Sequence, residues 1–174
     1  HNQDLVSDIT WLQPIADGSA GFVLAQDVLE HIRRDQCMTA LHEWNRVMMD
    51  GALLVIRAPD VLALADMLRA PERSSPEAQA FVLHQLFGTQ GYEGDFHFNG
   101  FTDITIRDNL GRSGFEIVSL RHRDQWLFEV LAKKVRHAPP DPMLRIESND
   151  QFLDEAYRVR LGREPDAGGK AFWR

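Results

Sequence analysis

The fold turns on the stretch Gly21-Phe22-Val23-Leu24-Ala25-Gln26-Asp27-Val28-Leu29-Glu30-His31. Its first five residues form a continuous apolar run, with Asp17-Gly18 shortly before it and Gln26-Asp27 after it. A run that does not alternate suits a strand buried on both faces, the kind found in parallel sheets. Asp27 precedes Glu30 by three residues, the spacing of a capping box, and predicts a helix start. The helix is expected over 28–48, broken near Arg34-Asp35. Within it Met38, Leu41, Trp44, Asn45 and Met48 recur at helical spacing and read as a core-facing stripe.

Working outward, residues 4–9 read as a short strand and 13–19, with Pro14 and Asp17-Gly18, as a loop. Asp50-Gly51 reads as a tight turn before a second buried strand over 52–56. Pro59-Asp60 ends that strand and caps a helix reaching about residue 69. Ser75-Pro76-Glu77 places a cap residue before a proline at the first helical position, and Gly88 is the stop for that helix. Residues 88–100 read as a long loop. Thr102 caps a further helix ending at Gly114, and strands over 115–120 and 125–132 form a hairpin. The expected class is α/β, a mainly parallel sheet closed by an antiparallel hairpin. Pro139-Pro140-Asp141-Pro142 lies in a linker over 137–147, which separates a domain over 1–136 from a short helical tail over 148–174.

Composition narrows the function. A net charge of -7 disfavours a nucleic-acid partner, whose phosphates need clustered Lys and Arg. The pairs Arg33-Arg34, Arg121-His122-Arg123 and Lys133-Lys134 read as solvated faces. A single cysteine, Cys37, excludes a disulfide within one chain and a cysteine zinc site; it reads as a packing thiol in a reducing, cytoplasmic setting. No apolar run reaches the length of a transmembrane segment, and no signal peptide is visible. The chain opens at His1 as though in mid-domain, so further sequence is expected upstream.

In a parallel α/β sheet, ligands bind beyond the carboxyl ends of the strands. That rule selects Asp8 and Ile9, then Gln26 and Asp27, then Arg57 and Pro59. The long loop carries Tyr92, Glu93, Asp95 and His97, and an Asp two residues from a His can orient an imidazole base. Glu30 reads equally as a cap or a ligand, and His31 as a core histidine or a pocket residue. A cation site from Asp95, His97 and His31 matches no known ligand spacing, and no metal is expected.

These motifs, in this order, resemble class I S-adenosylmethionine (SAM)-dependent methyltransferases. Val6-Ser7-Asp8-Ile9 is similar to the family's third strand. Phe22-Val23-Leu24-Ala25-Gln26-Asp27-Val28-Leu29-Glu30-His31 is similar to its fourth strand and the helix that follows. Trp44-Asn45-Arg46-Val47-Met48-Met49-Asp50-Gly51-Ala52-Leu53-Leu54-Val55-Ile56 is similar to its fifth strand, with one glycine kept in the preceding turn. Gly94-Asp95-Phe96-His97 resembles a loop of a bacterial branch linked to surface-polysaccharide genes. The resemblance implies a partial Rossmann-like sheet with SAM as cofactor. Asp8 and Ile9 would then lie beside the adenine, Gln26 and Asp27 near the methionine part, and His31 in the same pocket. Tyr92, Asp95 and His97 would be catalytic residues on the acceptor side, with His97 as base and Asp95 as its orienter. The family's first strand, its glycine-rich loop and the acidic residue on the ribose are expected before His1.

Asn149-Asp150-Gln151-Phe152-Leu153 and Leu161-Gly162-Arg163-Glu164-Pro165-Asp166 resemble a helical domain of unknown function that recurs in bacterial glycosyltransferases. It implies a multidomain parent and partners in glycan assembly. The expected reaction is O-methyl transfer to a sugar or surface-glycan-related acceptor. The alternatives are a non-catalytic scaffold derived from a methyltransferase, and an NAD-linked sugar enzyme, against which stands the lack of a Tyr-x-x-x-Lys pair.

Overall fold

The computed structural model describes residues 5–138 together with Asp154, Tyr157, Arg158, Arg163 and Glu164. The chain divides into two compact units, His1–Ala138 and Pro139–Arg174. In the first unit a four-stranded sheet has the order β1-β2-β4-β3, with β1 Ala20–Gln26, β2 Met48–Pro59, β3 Phe115–His122 and β4 Leu127–Lys134. β1 runs parallel to β2, whereas β4 is antiparallel to both β2 and β3. The helices are α1 Cys37–Val47, α2 Val61–Arg69, α3 Pro76–Phe87 and α4 Asp103–Arg112. The sheet is thus part parallel, with the expected hairpin at its edge.

The core forms on one face of this sheet. Leu54, Ile56 and Ala58 of β2 share that face with Phe128, Val130 and Ala132 of β4. Leu41 and Trp44 of α1 and Ile106 and Leu110 of α4 pack on them, all at most 3% exposed. Burying a side chain of this size stabilises by about 1.5–3 kcal/mol. The stripe expected on the first helix is confirmed, although Met48 already belongs to β2. Cys37 is buried there, and burial pushes its thiol up to about 11, as suits a packing residue. A smaller cluster, Leu64, Met67 and Val82, joins α2 to α3.

Helix starts follow local chemistry. Asp60 accepts a hydrogen bond from Leu62 N at 2.9 Å, and Ser75 from Ala78 N at 3.2 Å. Thr102 and Thr105 form a reciprocal capping box.

Four expectations about single elements fail, and so does the burial of the first two strands on both faces, since Phe22 and Leu24 of β1 and Leu53 of β2 are exposed. Residues 5–9 form no strand; Asp8 and Trp11 make only an isolated bridge. A strand needs a ladder partner, and this segment instead lies against α1. Leu12 N donates to Glu43 Oε1 at 2.8 Å, Trp44 Nε1 to Ile9 O at 3.2 Å and Arg46 Nη2 to Leu12 O at 3.0 Å. Second, Asp27 caps no helix. Its φ of 52° lies in the left-handed region, and two short 3₁₀ turns, Leu29–His31 and Arg34–Gln36, precede α1. Third, Asp50-Gly51 is not a turn between helix and strand but a bulge within β2. The pairing steps from Ala20↔Met48 to Phe22↔Leu53, and Gly51 has φ 77°. Fourth, Lys134 is not solvated. It is 1% exposed and its ammonium donates to Asn45 O at 2.9 Å and Met48 O at 2.7 Å, closing the C-terminal end of α1.

Of the second unit, Asp154 is helical, and the Arg163 guanidinium stacks 4.9 Å from the centre of the Tyr157 ring. The rest of the tail read over 148–174, with most of the proline linker and the start of the 4–9 segment, lies outside the described residues.

A row of polar side chains crosses all four strands. Arg57 donates to Gln26 Oε1 at 2.6 Å and to Glu129 Oε2 at 2.9 Å; Arg121 and Arg123 donate to the same Glu129 carboxylate at 3.1 and 3.0 Å. The guanidinium of Arg121, and after it that of Arg57, lowers the Glu129 carboxyl from 4.5 to about 2. A carboxyl depressed on folding stabilises the native state above its unfolded value and loses that contribution as pH falls towards its folded value. Glu129 therefore contributes stability that is full above pH 4.5 and lost towards pH 2. Urea titrations should show Glu129→Gln less stable than wild type at pH 6, with the gap closing across that window. At pH 7, Lys134→Met strands two buried carbonyls and should cost about 2 kcal/mol by the same method.

Candidate functional site

The site begins where β1 and β2 end side by side. Gln26 pairs with Arg57, so the next residues, Asp27 and the Pro59-Asp60 corner, emerge on one edge of the sheet. Asp27 N donates to Arg57 O at 3.1 Å, which holds the residue in its left-handed conformation. Asp tolerates that region better than most residues, at a cost of about 1 kcal/mol, and such residues gather at functional sites.

A cleft of about 250 Å³ opens at this edge, lined by Asp27, Glu30, His31, Pro59, His84 and His97 among others. Three segments build it. The 3₁₀ turn after β1 presents Glu30 and His31. The last turn of α3 presents His84 and Gln85. The loop after α3 folds back and presents Asp95 and His97. Phe98 N and Asn99 N both donate to Glu30 O, at 2.8 and 3.2 Å, and His97 N donates to Phe87 O at 3.1 Å. Gly88, with φ 77°, lets the loop leave α3; a Cβ there would stand 1.7 Å from Asp95 O.

Glu30 is 2% exposed. Its Oε2 is buried without a hydrogen-bond partner, and so is Nδ1 of His31. Desolvation pushes the Glu30 carboxyl up to about 7. The His31 and His97 rings meet edge to face at 4.7 Å between centres. His97 Nδ1 lies 3.0 Å from Gln85 O, so Nδ1 carries the proton and Nε2 keeps its lone pair. Burial, and then His31, lowers the His97 pKa below its ordinary 6.5, favouring the neutral imidazole.

Asp27, His31, Asp95 and His97 are thus brought together. Asp95 does not hydrogen-bond His97, as had been expected; its carboxylate accepts from Thr89 N at 3.0 Å and from the Thr89 hydroxyl. The Gln85 carbonyl orients His97 instead, and Asp95 reaches it only through its field, which raises the imidazole pKa. Gln26 lies beside the cleft in the Arg57 row. Tyr92 is 68% exposed and not among the lining residues. Asp8 and Ile9 are not among them either: Asp8 Oδ1 accepts from Thr10 N and Oγ1 at 2.8 and 2.6 Å, and Ile9 O takes the Trp44 indole. His84, Gln85, Thr89 and Trp126 line the cleft without having been singled out in the sequence. The one local signal for the first two was their place in the last helical turn before Gly88.

The methyltransferase-domain family model matches residues 1–56. No curated protein matches the chain by sequence. Among solved structures, a SAM-dependent methyltransferase of Methanosarcina mazei superposes with a TM-score of 0.55 and 22% identity, over 75% of this chain and 66% of that one. A 1,6-didemethyltoxoflavin N1-methyltransferase of Burkholderia thailandensis, with bound 1,6-didemethyltoxoflavin and S-adenosylhomocysteine, gives 0.51 and 12%, over 76% and 50%. A Pyrococcus horikoshii protein gives 0.54 and 14%, over 75% and 58%. The chain therefore spans between half and two thirds of these structures, and its fold is a partial version of theirs, Rossmann-like as expected.

A methionine-type ligand fits one part of this edge. The Asp27 carboxylate suits an ammonium group, whereas the rest of the lining is mainly polar, with Pro59 and Trp126 as its apolar parts. At about 250 Å³ the cleft lies below the roughly 300 Å³ at which small-molecule sites begin, so the described residues do not by themselves enclose a whole cofactor.

The loop's geometry depends on Gly88. Gly88→Ala should cost at least about 2 kcal/mol in urea unfolding and raise the exchange rates of the Phe98 and Asn99 amides, which the Glu30 carbonyl now protects.

Proposed function

We propose that the chain is part of a SAM-dependent methyltransferase that methylates a hydroxyl of a sugar or surface-glycan-related acceptor. The observation that carries this reading is the cleft at the carboxyl ends of β1 and β2, where Asp27, Glu30, His31 and His97 converge. Its fold is that of structures named as SAM-dependent methyltransferases. Bound SAM would supply an electrophilic methyl carbon carried on a sulfonium.

Gln26 and Asp27 would hold the methionine end. Asp8 and Ile9 would lie towards the adenine, with the rest of that subsite coming from sequence beyond these residues. His97, neutral and fixed through Nδ1, presents Nε2 as the acceptor for the hydroxyl proton, a contribution of about 10²–10⁴ in rate. His31 packs against it and sets its angle. Asp95 and Thr89 brace the loop, and Tyr92 stands further out towards the acceptor. Most of the remaining catalysis is alignment, since displacement at a methyl carbon needs collinearity more than acid–base power. The glycan acceptor, and partners in glycan assembly, rest on the loop and tail resemblances. Among the described residues no helix is long and apolar enough to cross a membrane.

One observation favours a scaffold instead. The Asp8 turn satisfies its own carboxylate and offers nothing outward. Calorimetric titration with S-adenosylhomocysteine separates the two. The methyltransferase reading expects one-to-one binding, weakened about tenfold by Asp27→Asn. In the active protein, His97→Ala should lower kcat by 10²–10⁴ while leaving that affinity within about threefold. Full-length protein that binds none is a scaffold.

A further inference from the structure

No metal was expected from the sequence, and the trio considered there included Asp95. The structure brings together a different set. One ligand atom each from Glu30, His31 and His97 lies within 4.8 Å of the other two. The three come from a 3₁₀ turn after a strand and from a loop more than sixty residues later, so no sequence spacing announces them.

Each member is set up as a ligand. Glu30 is 2% exposed, and its Oε2 has neither a protein donor nor an exposed surface to meet. A carboxylate oxygen left so costs several kcal/mol unless something positive arrives. His31 Nδ1 is buried and unpartnered beside it. His97 donates its other ring nitrogen to the Gln85 carbonyl at 3.0 Å, the arrangement by which a metal-binding imidazole has its tautomer and ring plane fixed. The backbone ties the trio together as well, since the amides of Phe98 and Asn99 bond the Glu30 carbonyl.

We propose that Glu30, His31 and His97 bind a divalent transition-metal cation, of the class that accepts two imidazoles and one carboxylate. Zn²⁺ and Co²⁺ match that donor set, whereas Mg²⁺ and Ca²⁺ prefer oxygen ligands. Around a tetrahedral ion with bonds of about 2.1 Å, ligand atoms stand about 3.4 Å apart, so the trio, now within 4.8 Å, needs to close by no more than about 1.4 Å on binding. Three protein ligands leave a fourth position, and the cleft is the space into which it opens.

What the ion does there rests on the methyltransferase reading; that it binds does not. In the reaction the open position would take the acceptor oxygen. A bound ion would supply Lewis-acid polarisation of that oxygen, so that the hydroxyl proton could pass to water. With Nε2 on the ion, the proton-accepting role proposed for His97 would belong to the metal-free protein, and in the loaded protein His97 would act as a ligand. The electron balance of methyl transfer is unchanged.

The test is a Co²⁺ titration of the full chain without SAM or acceptor, followed by visible absorption and displaced by Zn²⁺. The expected result is one saturable site whose ligand-field bands vanish on Zn²⁺ addition. Glu30→Gln and His97→Ala should each weaken Co²⁺ at least tenfold. Far-UV circular dichroism establishes that each variant is folded, and His31→Asn serves where one is not. Saturable binding of equal strength in the folded variants would place the ion on surface groups and overturn the proposal. So would the lack of a saturable band in wild type. Neither outcome touches S-adenosylhomocysteine binding, so the methyltransferase reading stands or falls separately.

Discussion

The parallel register of β1 and β2, with Gln26 opposite Arg57, sets the position of the candidate chemistry. Parallel strands end together at one edge, and the connections leaving them must start there. Asp27 and the Pro59-Asp60 corner are the first residues past that edge. The Arg57 side chain reinforces the same register by bonding Gln26 on one side and Glu129 on the other. A slip by one residue would exchange Leu54 and Ile56 for Leu53 and Val55 on the core face, and the packing of α1 and α4 forbids it.

The second constraint is the set of buried polar groups that fasten segments lacking regular structure. Glu43 and Arg46 of α1 hold the backbone of Leu12, through its amide and carbonyl, and of Ile15, through its carbonyl. Asn45 bonds Ser113 O, Arg136 O and Ala138 N, and so ties α1 to the end of α4 and to the chain beyond β4. Lys134 closes the α1–β2 corner from the far end of the hairpin. Each bond is worth about 1 kcal/mol net, yet each stands where an unmet buried group would cost more than that. These anchors lie at the opposite end of β2 from the cleft, so the frame is braced away from the chemistry.

These differences in range explain what could be read in the sequence. The caps of Asp60, Ser75 and Thr102 and the stop at Gly88 act on residues two to four positions away, and local composition reveals them. The parallel strand was legible as an apolar run between turn residues, but the run did not foretell that Phe22 and Leu24 would be exposed. The strand over 4–9 was not formed, because a strand is a relation between two segments and the segment alone shows only half of it. Lys134 looked solvated because its two acceptors, the carbonyls of Asn45 and Met48, lie far away in sequence. The site was half legible. The sheet-edge rule named Asp27, and the loop composition named His97. The Gln85 carbonyl that orients His97, and Thr89, which takes Asp95 away from it, are set by how the loop folds back on α3.

Glu30 shows why the site and the fold had to be read together. As a capping residue it would have met solvent and the helix amides. The left-handed turn at Asp27 removes that role and sends the side chain inward, where its carboxyl rises to about 7. A hydrophobic residue of similar size at that place would pack without this cost. The backbone of residue 30, by contrast, is needed for the loop whatever its side chain, since its carbonyl receives Phe98 and Asn99. Structure alone therefore accounts for the main chain at this position but not for a carboxylate on it. What remains to account for the carboxylate is something that meets it in the cleft, and the two imidazoles beside it narrow the nature of that partner to a cation or a proton donor.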